Sequence, residues 1–315
     1  MNRIESYDIL KGIGIILMIV AHTYGPESII WNFIYAFHMP LFFIVSGMFY
    51  NQKSLPIILM KNISQLIIPY LTMCIIVIVL TQIRQPHNIK DDLELTLLGL
   101  GPGWFFLAMF LTRILFHSLL YHFPNYYLIV TFIISMVVCI LAHNIRLFYI
   151  FSFIPALVSL FFFSFGYFAK QKQLLTITNK YSYTFILIGG GLWLTTSLFG
   201  KVELSQCIFK LSIIDFAGSI GGTFIFYKLS QTISKTNSPI KTILSDAGRY
   251  SLVILFFHSI DYCIYPWYLI TPHIPPLLQI HTIVILRLLF VFMCVIITIN
   301  SKWLRYFFRI TIPTK

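Results

Sequence analysis

Three ionisable groups stand where hydrocarbon is expected. DILKGIGIILMIVAH, residues 8–22, carries Asp8 and Lys11 at one end and His22 at the other. Each such group costs roughly 3 kcal/mol or more at the centre of a bilayer unless it is paired or put to use. Asp8 and Lys11 are three residues apart, the spacing of an ion pair on one helix face. Eleven helical steps from Lys11 bring His22 to within about 20° of the same face, roughly 16 Å further along the axis. An imidazole with an ordinary pKa near 6.5 accepts a proton from a hydroxyl at neutral pH, the role of a general base. An ammonium further along the same stripe attracts a phosphate or carboxylate on a second reactant.

A second histidine follows in FHMPLFFIVSG, residues 37–47, where His38 falls at a depth comparable to His22. Pro40 lacks a backbone donor and is expected to kink the helix beside it, opening space for a ligand. SLVILFFHSID sets His258 and Asp261 one turn apart, where a carboxylate fixes the tautomer of an imidazole. Arg113 with His117, Asp215 and Arg287 are embedded too, and the simplest expectation for these four is mutual neutralisation inside the bundle. Trp104, in GPGWFFL at 101–107, reads as an interfacial anchor or as a stacking surface for a ring. Bland readings stand beside these: a membrane histidine often only donates to a carbonyl, and Asp8 with Lys11 can simply snorkel to the interface. None of the five cysteines forms a CxxC or a Cys/His ligand spacing, so neither a disulfide frame nor a metal site is expected.

These residues need helices to hold them. The chain has 315 residues, 58% hydrophobic and 10% charged, with a mean hydropathy of +0.86, which no soluble globule of this size requires. Apolar runs lie near 8–24, 31–50, 63–82, 103–121, 126–142, 149–170, 183–200, 208–229, 249–269 and 278–300. Each is long enough to cross a bilayer as a helix, and the alternation of a barrel strand is missing. The sequence therefore predicts an all-α, polytopic membrane protein of about ten transmembrane helices forming a single domain over 1–315. Acidic Glu5 and Asp8 before the first run, and no small-x-small cleavage site after it, mark that run as a retained helix rather than a signal peptide. With the N-terminus inside, fifteen Lys and Arg fall on inner segments and five outside, while Arg113 and Arg287 stay within the membrane. This bias predicts both termini in the cytoplasm. The net charge of +12 is thereby topology, not a nucleic-acid footprint.

The chain resembles the integral-membrane acyltransferase-3 family, particularly its sugar O-acetyltransferases of the fucose 4-O-acetylase kind. The likeness lies in YDILKGIGIILMIVAH and FHMPLFFIVSGMFY at their spacing, then LIIPYL at 66–71, GWFFLAMF at 103–110 and SLVILFFHS at 251–259. Family members carry an Arg, ten residues, then a His on the first helix; Lys11 and His22 occupy those positions here, and lysine keeps the charge without the planar fork. In KNISQLIIPY, Lys61 and Gln65 stand where many relatives have arginines. The resemblance implies transfer of an acyl group, acetyl foremost, from cytoplasmic acyl-coenzyme A to a hydroxyl of a surface glycan or its lipid-linked precursor. His22 would be the base, His38 would orient the hydroxyl or steady the oxyanion, and Lys11 would hold the polar arm of the donor. Asp8, Trp104, Arg113, His258 and Asp261 would support them. Expected surroundings are membrane lipid, the acyl-CoA co-substrate and a glycan, in the inner or plasma membrane of a bacterium. A transporter or flippase of a lipid-linked saccharide remains the alternative, since broken helices and buried charges also mark translocation paths.

Overall fold

A computed structural model of the protein describes residues 4–84, 103–142, 152–174, 182–264 and 266–310, apart from the side chains of Ser182, Pro266 and Tyr268. Most of the polar break RQPHNIKDD, and Arg3, Lys90, Arg146, Lys180 and Lys315 from the charge count, lie outside those residues.

Helix occupies each of the ten expected spans. α1 is Glu5–Tyr24, followed by α2 (Ile29–Tyr35), α3 (His38–Met48), α4 (Leu55–Asn62), α5 (Ile68–Arg84), α6 (Trp104–His122), α7 (Tyr127–Ala142) and α8 (Phe153–Gln171). After these come α9 (Ser182–Phe199), a hairpin of β1 (Val202–Glu203) and β2 (Ile208–Phe209), α10 (Ile213–Ser234), α11 (Pro239–Arg249), α12 (Ser251–Ile264), α13 (Pro276–Asn300) and α14 (Lys302–Phe307). Among the described residues six helical stretches are long and apolar enough to cross a membrane: α1, α2 with α3, α4 with α5, α6, α8 and α13. α7, α9 and α12 are shorter apolar helices. Large apolar side chains such as Ile129, Ile140, Leu187, Leu289 and Met293 are exposed on the outside of the bundle, while His38, Asp215, His258, Asp261 and Arg287 are buried. Apolar outside and polar inside is the arrangement a lipid solvent imposes.

α1 is the hub, packing against α2, α3, α10, α11, α12 and α13. Its closest neighbour is α11, an amphipathic helix within the stretch that composition reads as a break around KTNSPIK. Ser238 caps α11 by accepting from the Ile240 N–H at 3.1 Å, and Pro239 fills its first turn, where no backbone donor is needed. Gly12 and Gly248 let the two helices touch backbone to backbone. A Cβ at Gly12 would meet the Leu244 carbonyl, and one at Gly248 would meet that of Asp8. Gly248→Val should therefore destabilise the bundle by about 1–3 kcal/mol through overpacking, read as a lower melting temperature in detergent, whereas a solvent-facing change at Lys302 should leave it unmoved.

Two irregularities shape the interior. The break in the second span lies at Ala36 and Phe37, between α2 and α3, and not at Pro40. Pro40 sits in the first turn of α3, where its missing N–H costs nothing. Between α4 and α5, Ile63–Ile67 forms a turn of π-helix just ahead of Pro69. Inserted π-turns are a recurrent feature of functional helices, and this one lies beside the larger cavity described next.

Candidate active site

Three adjoining cavities run through the bundle along the Lys11–His22 face of α1. The first, about 420 Å³, is walled among others by Lys11, Lys53, Lys61, Asn62, Gln65 and Arg113. The second is an apolar throat of about 30 Å³ between Ile15, Met18, Met39, Phe42, Phe105 and Leu255. The third, also about 30 Å³, brings together His22, His38 and His258 with Tyr35, Trp104 and Ser205. Phe105 borders all three, Phe42 and Leu252 join the first to the second, and Met18, Met39 and Leu255 join the second to the third. The unbroken helix α1 thus sets its ammonium at one end of the series and its imidazole at the other.

In the basic vestibule, Lys11 Nζ lies 2.9 Å from Asp8 Oδ1. Arg113, on α6, donates to the Ser46 hydroxyl from Nε (3.2 Å) and a terminal nitrogen (2.9 Å), and to Asn62 Oδ1 at 2.8 Å. Among the described residues no carboxylate neutralises it. Mutual neutralisation of the four embedded residues is thus corrected: Asp215 instead accepts from the Leu211 N–H at 2.7 Å, beside the hairpin, and His117 Nδ1 meets the Tyr50 hydroxyl at 2.9 Å. Only Arg287 has a carboxylate partner, with Nε 3.2 Å from Asp261 Oδ2. A half-buried guanidinium bonded to neutral oxygens, beside lysines and an open cavity, is suited to an anion.

In the histidine pocket, geometry fixes one tautomer outright. His38 Nδ1 lies 3.0 Å from the Ile34 carbonyl, an acceptor only, so Nδ1 carries the proton. The helix break leaves that carbonyl within reach. His38 Nε2 is then an acceptor, buried without a partner. His22 Nε2 lies 3.3 Å from the Tyr35 hydroxyl, and the Tyr35 ring is 4.6 Å from that of His38. His258 stands 5.4 Å from His22, ring to ring. Its Nδ1 is 3.5 Å from Asp261 Oδ2, and Asp261 Oδ1 accepts from the Trp267 indole N–H. Arg287 also donates to the Thr23 hydroxyl at 3.1 Å, tying this cluster to the residue after His22. Buried nitrogens without partners on the pocket wall suit the polar atoms of a bound ligand.

Each expected site residue is accounted for. His22, His38, His258 and Trp104 share one pocket, Asp261 stands behind His258, and Lys11 and Arg113 share the vestibule with Asp8 paired to Lys11. Tyr35 and Tyr262, whose ring is 5.0 Å from that of His22, are additions. Their signal was present in the spacing, three residues before His38 and four after His258. Ser205 and Leu204 come from the hairpin, which no periodicity announces. Among the described residues no group of three or more His, Cys, Asp or Glu side chains is placed to hold a metal ion.

No curated protein and no solved structure matches the chain. The model of the acyltransferase-3 family, described as an acyltransferase domain, matches residues 4–302. The chain therefore belongs to the acyltransferase-3 family and is a multi-pass membrane acyltransferase.

Proposed function

We propose that this protein transfers an acetyl group from acetyl-CoA to a hydroxyl of a surface glycan or its lipid-linked precursor, acting as one membrane-embedded unit in the inner or plasma membrane of a bacterium. The observation that carries the reading is the series of cavities from a basic vestibule, through an apolar throat, to a pocket of imidazoles. A coenzyme A thioester is a phosphorylated head on a long thin arm with its reactive carbonyl at the tip. The vestibule suits the phosphates, with Lys11, Lys61 and Arg113 as their partners. The throat suits the arm, and the tip arrives among the histidines. The positive-inside bias supports the vestibule and both termini on the cytoplasmic side, where acyl-CoA is available.

In the pocket, His22 takes the proton of the acceptor hydroxyl as its oxygen attacks the thioester carbonyl. The tetrahedral adduct collapses, breaks the carbon–sulfur bond and expels the coenzyme thiolate, which recovers that proton from His22. His38 positions the acceptor molecule by accepting from a second, non-reacting hydroxyl on it, because its Nδ1 proton is committed to Ile34 and its Nε2 can only accept. His258, backed by Asp261, lines the opposite wall. Trp104 offers a face for a sugar ring. Membership of the acyltransferase family displaces the transporter alternative, which would consume no donor.

The test uses membranes containing the full chain and acetyl-CoA labelled in its acetyl group. Release of free coenzyme thiol with label entering glycan is expected, and cells lacking the protein should lose an acetyl mass increment from a surface glycan. Wild-type membranes that leave acetyl-CoA intact with every glycan offered would overturn the reading. Lys11→Ala should raise the KM for acetyl-CoA about tenfold, the loss of one charge-assisted contact, with kcat little changed. Lys11→Arg should restore it.

A further inference from the structure

The hairpin between α9 and α10 is the only extended pairing among the described residues, and of the three cavities described above it lines only the histidine pocket. Val202 pairs with Phe209 and Glu203 with Ile208, and Leu204–Gln206 closes the turn as one stretch of 3₁₀ helix. Cys207 takes the left-handed region at φ 56° to turn the chain back. Val202, Leu204, Cys207 and Phe209 are buried, and the Phe209 ring lies 4.2 Å from that of Phe216. The Lys210 N–H donates to the Lys201 carbonyl at 3.1 Å, and Asp215 holds the Leu211 N–H. This is a fixed roof, not a loose loop.

Leu204 and Ser205 line the pocket with the three histidines, and neither lines the vestibule or the throat. The Ser205 hydroxyl has no partner among the described residues. Next to the roof, Lys201 Nζ pairs with Glu203 Oε2 at 3.7 Å and lies 5.8 Å from the Trp31 ring. Burial pushes the Glu203 carboxyl up, and Lys201 beside it pulls it down. Trp31 stacks on Tyr35 at 3.5 Å, backing a ring that faces the pocket.

Flat aromatic faces interleaved with separate hydrogen-bonding atoms match a ring that is apolar on its C–H face and hydroxylated around its rim. A plain alcohol would leave buried polar atoms unpaired, which is costly. We propose that the hairpin Val202–Phe209 is the acceptor-selecting element, with the Ser205 hydroxyl bonding a non-reacting hydroxyl of a sugar ring while the reacting one faces His22. This rests on the acetyl-transfer reading above.

The test compares two acceptors within one membrane preparation, so the amount of folded protein cancels. With acetyl-CoA as donor, acylation of methyl glycosides of glucose, galactose and fucose is measured against acylation of cyclohexanol. Ser205→Ala should lower the ratio of kcat/KM for glycoside over cyclohexanol about tenfold or more, the loss of a hydroxyl-reading contact. Ser205→Thr should restore it. A ratio unmoved by Ser205→Ala overturns the assignment, as does a wild type that acylates no glycoside of the panel. Failure of the underlying acetyl-transfer reading looks different: no coenzyme thiol is then released with any acceptor.

Discussion

Replacing His22 by alanine should lower acetyl transfer by about 10²–10⁴-fold, the usual worth of a positioned general base. The size follows from the pocket. Of its three imidazoles, His38 has its Nδ1 proton committed to the Ile34 carbonyl and accepts through a buried Nε2. His258 faces a carboxylate already shared with Arg287 and Trp267. His22 is half-buried, meets only the Tyr35 hydroxyl from its Nε2, and lies on the α1 face that borders the whole series of cavities. Its loss removes the proton acceptor and leaves the bundle intact, because neither ring nitrogen ties two helices through a buried charge. Thiol release and label transfer should fall together while membrane abundance and melting temperature hold. Tyr35→Phe should cost less, since it removes an orienting contact and not the base. Retained transfer in His22→Ala would move the base to His38 or His258, whose Nε2 atoms are also without a partner.

How much of this was legible in the chain depends on how local each feature is. The Lys11–His22 stripe is a property of a single regular helix, so a period of 3.6 residues is enough to place both groups on one face. The ten apolar runs declare themselves through length. α11 was hidden, because eleven residues with a polar face look like a loop beside membrane spans, and its packing depends on Gly12 meeting Leu244 across two helices. The hairpin was hidden as well: two strands of two residues are too short to show alternation. His258 was visible as a buried histidine beside Asp261, but only the crossing of α1 with α12 sets it 5.4 Å from His22. Pro40 misled for a physical reason. A proline kinks a helix interior, and here the chain had already broken at Phe37, which turned an interior proline into a first-turn one.

The other large effect is on stability, at the ion pair behind His258. Arg287→Met should destabilise the protein by about 3–5 kcal/mol, the cost of leaving one buried charge uncompensated. Asp261 is almost wholly buried at 2% exposure, and its Oδ2 faces Arg287 Nε at 3.2 Å. Without the guanidinium that oxygen keeps only His258 Nδ1, 3.5 Å away, as a nearby donor. The same substitution removes the bond from Arg287 to the Thr23 hydroxyl, so α13 also loses a tie to α1. The double variant Asp261→Asn with Arg287→Met removes both charges and should recover most of the loss, because a buried pair exchanged for neutral groups is often close to neutral in stability. Chemical unfolding in detergent of the wild type, both single variants and the double variant completes the cycle. Full additivity of the two losses would show that the residues do not act as a pair. Activity then separates structure from chemistry: if Asp261 also holds His258 in place, the double variant regains stability without regaining turnover.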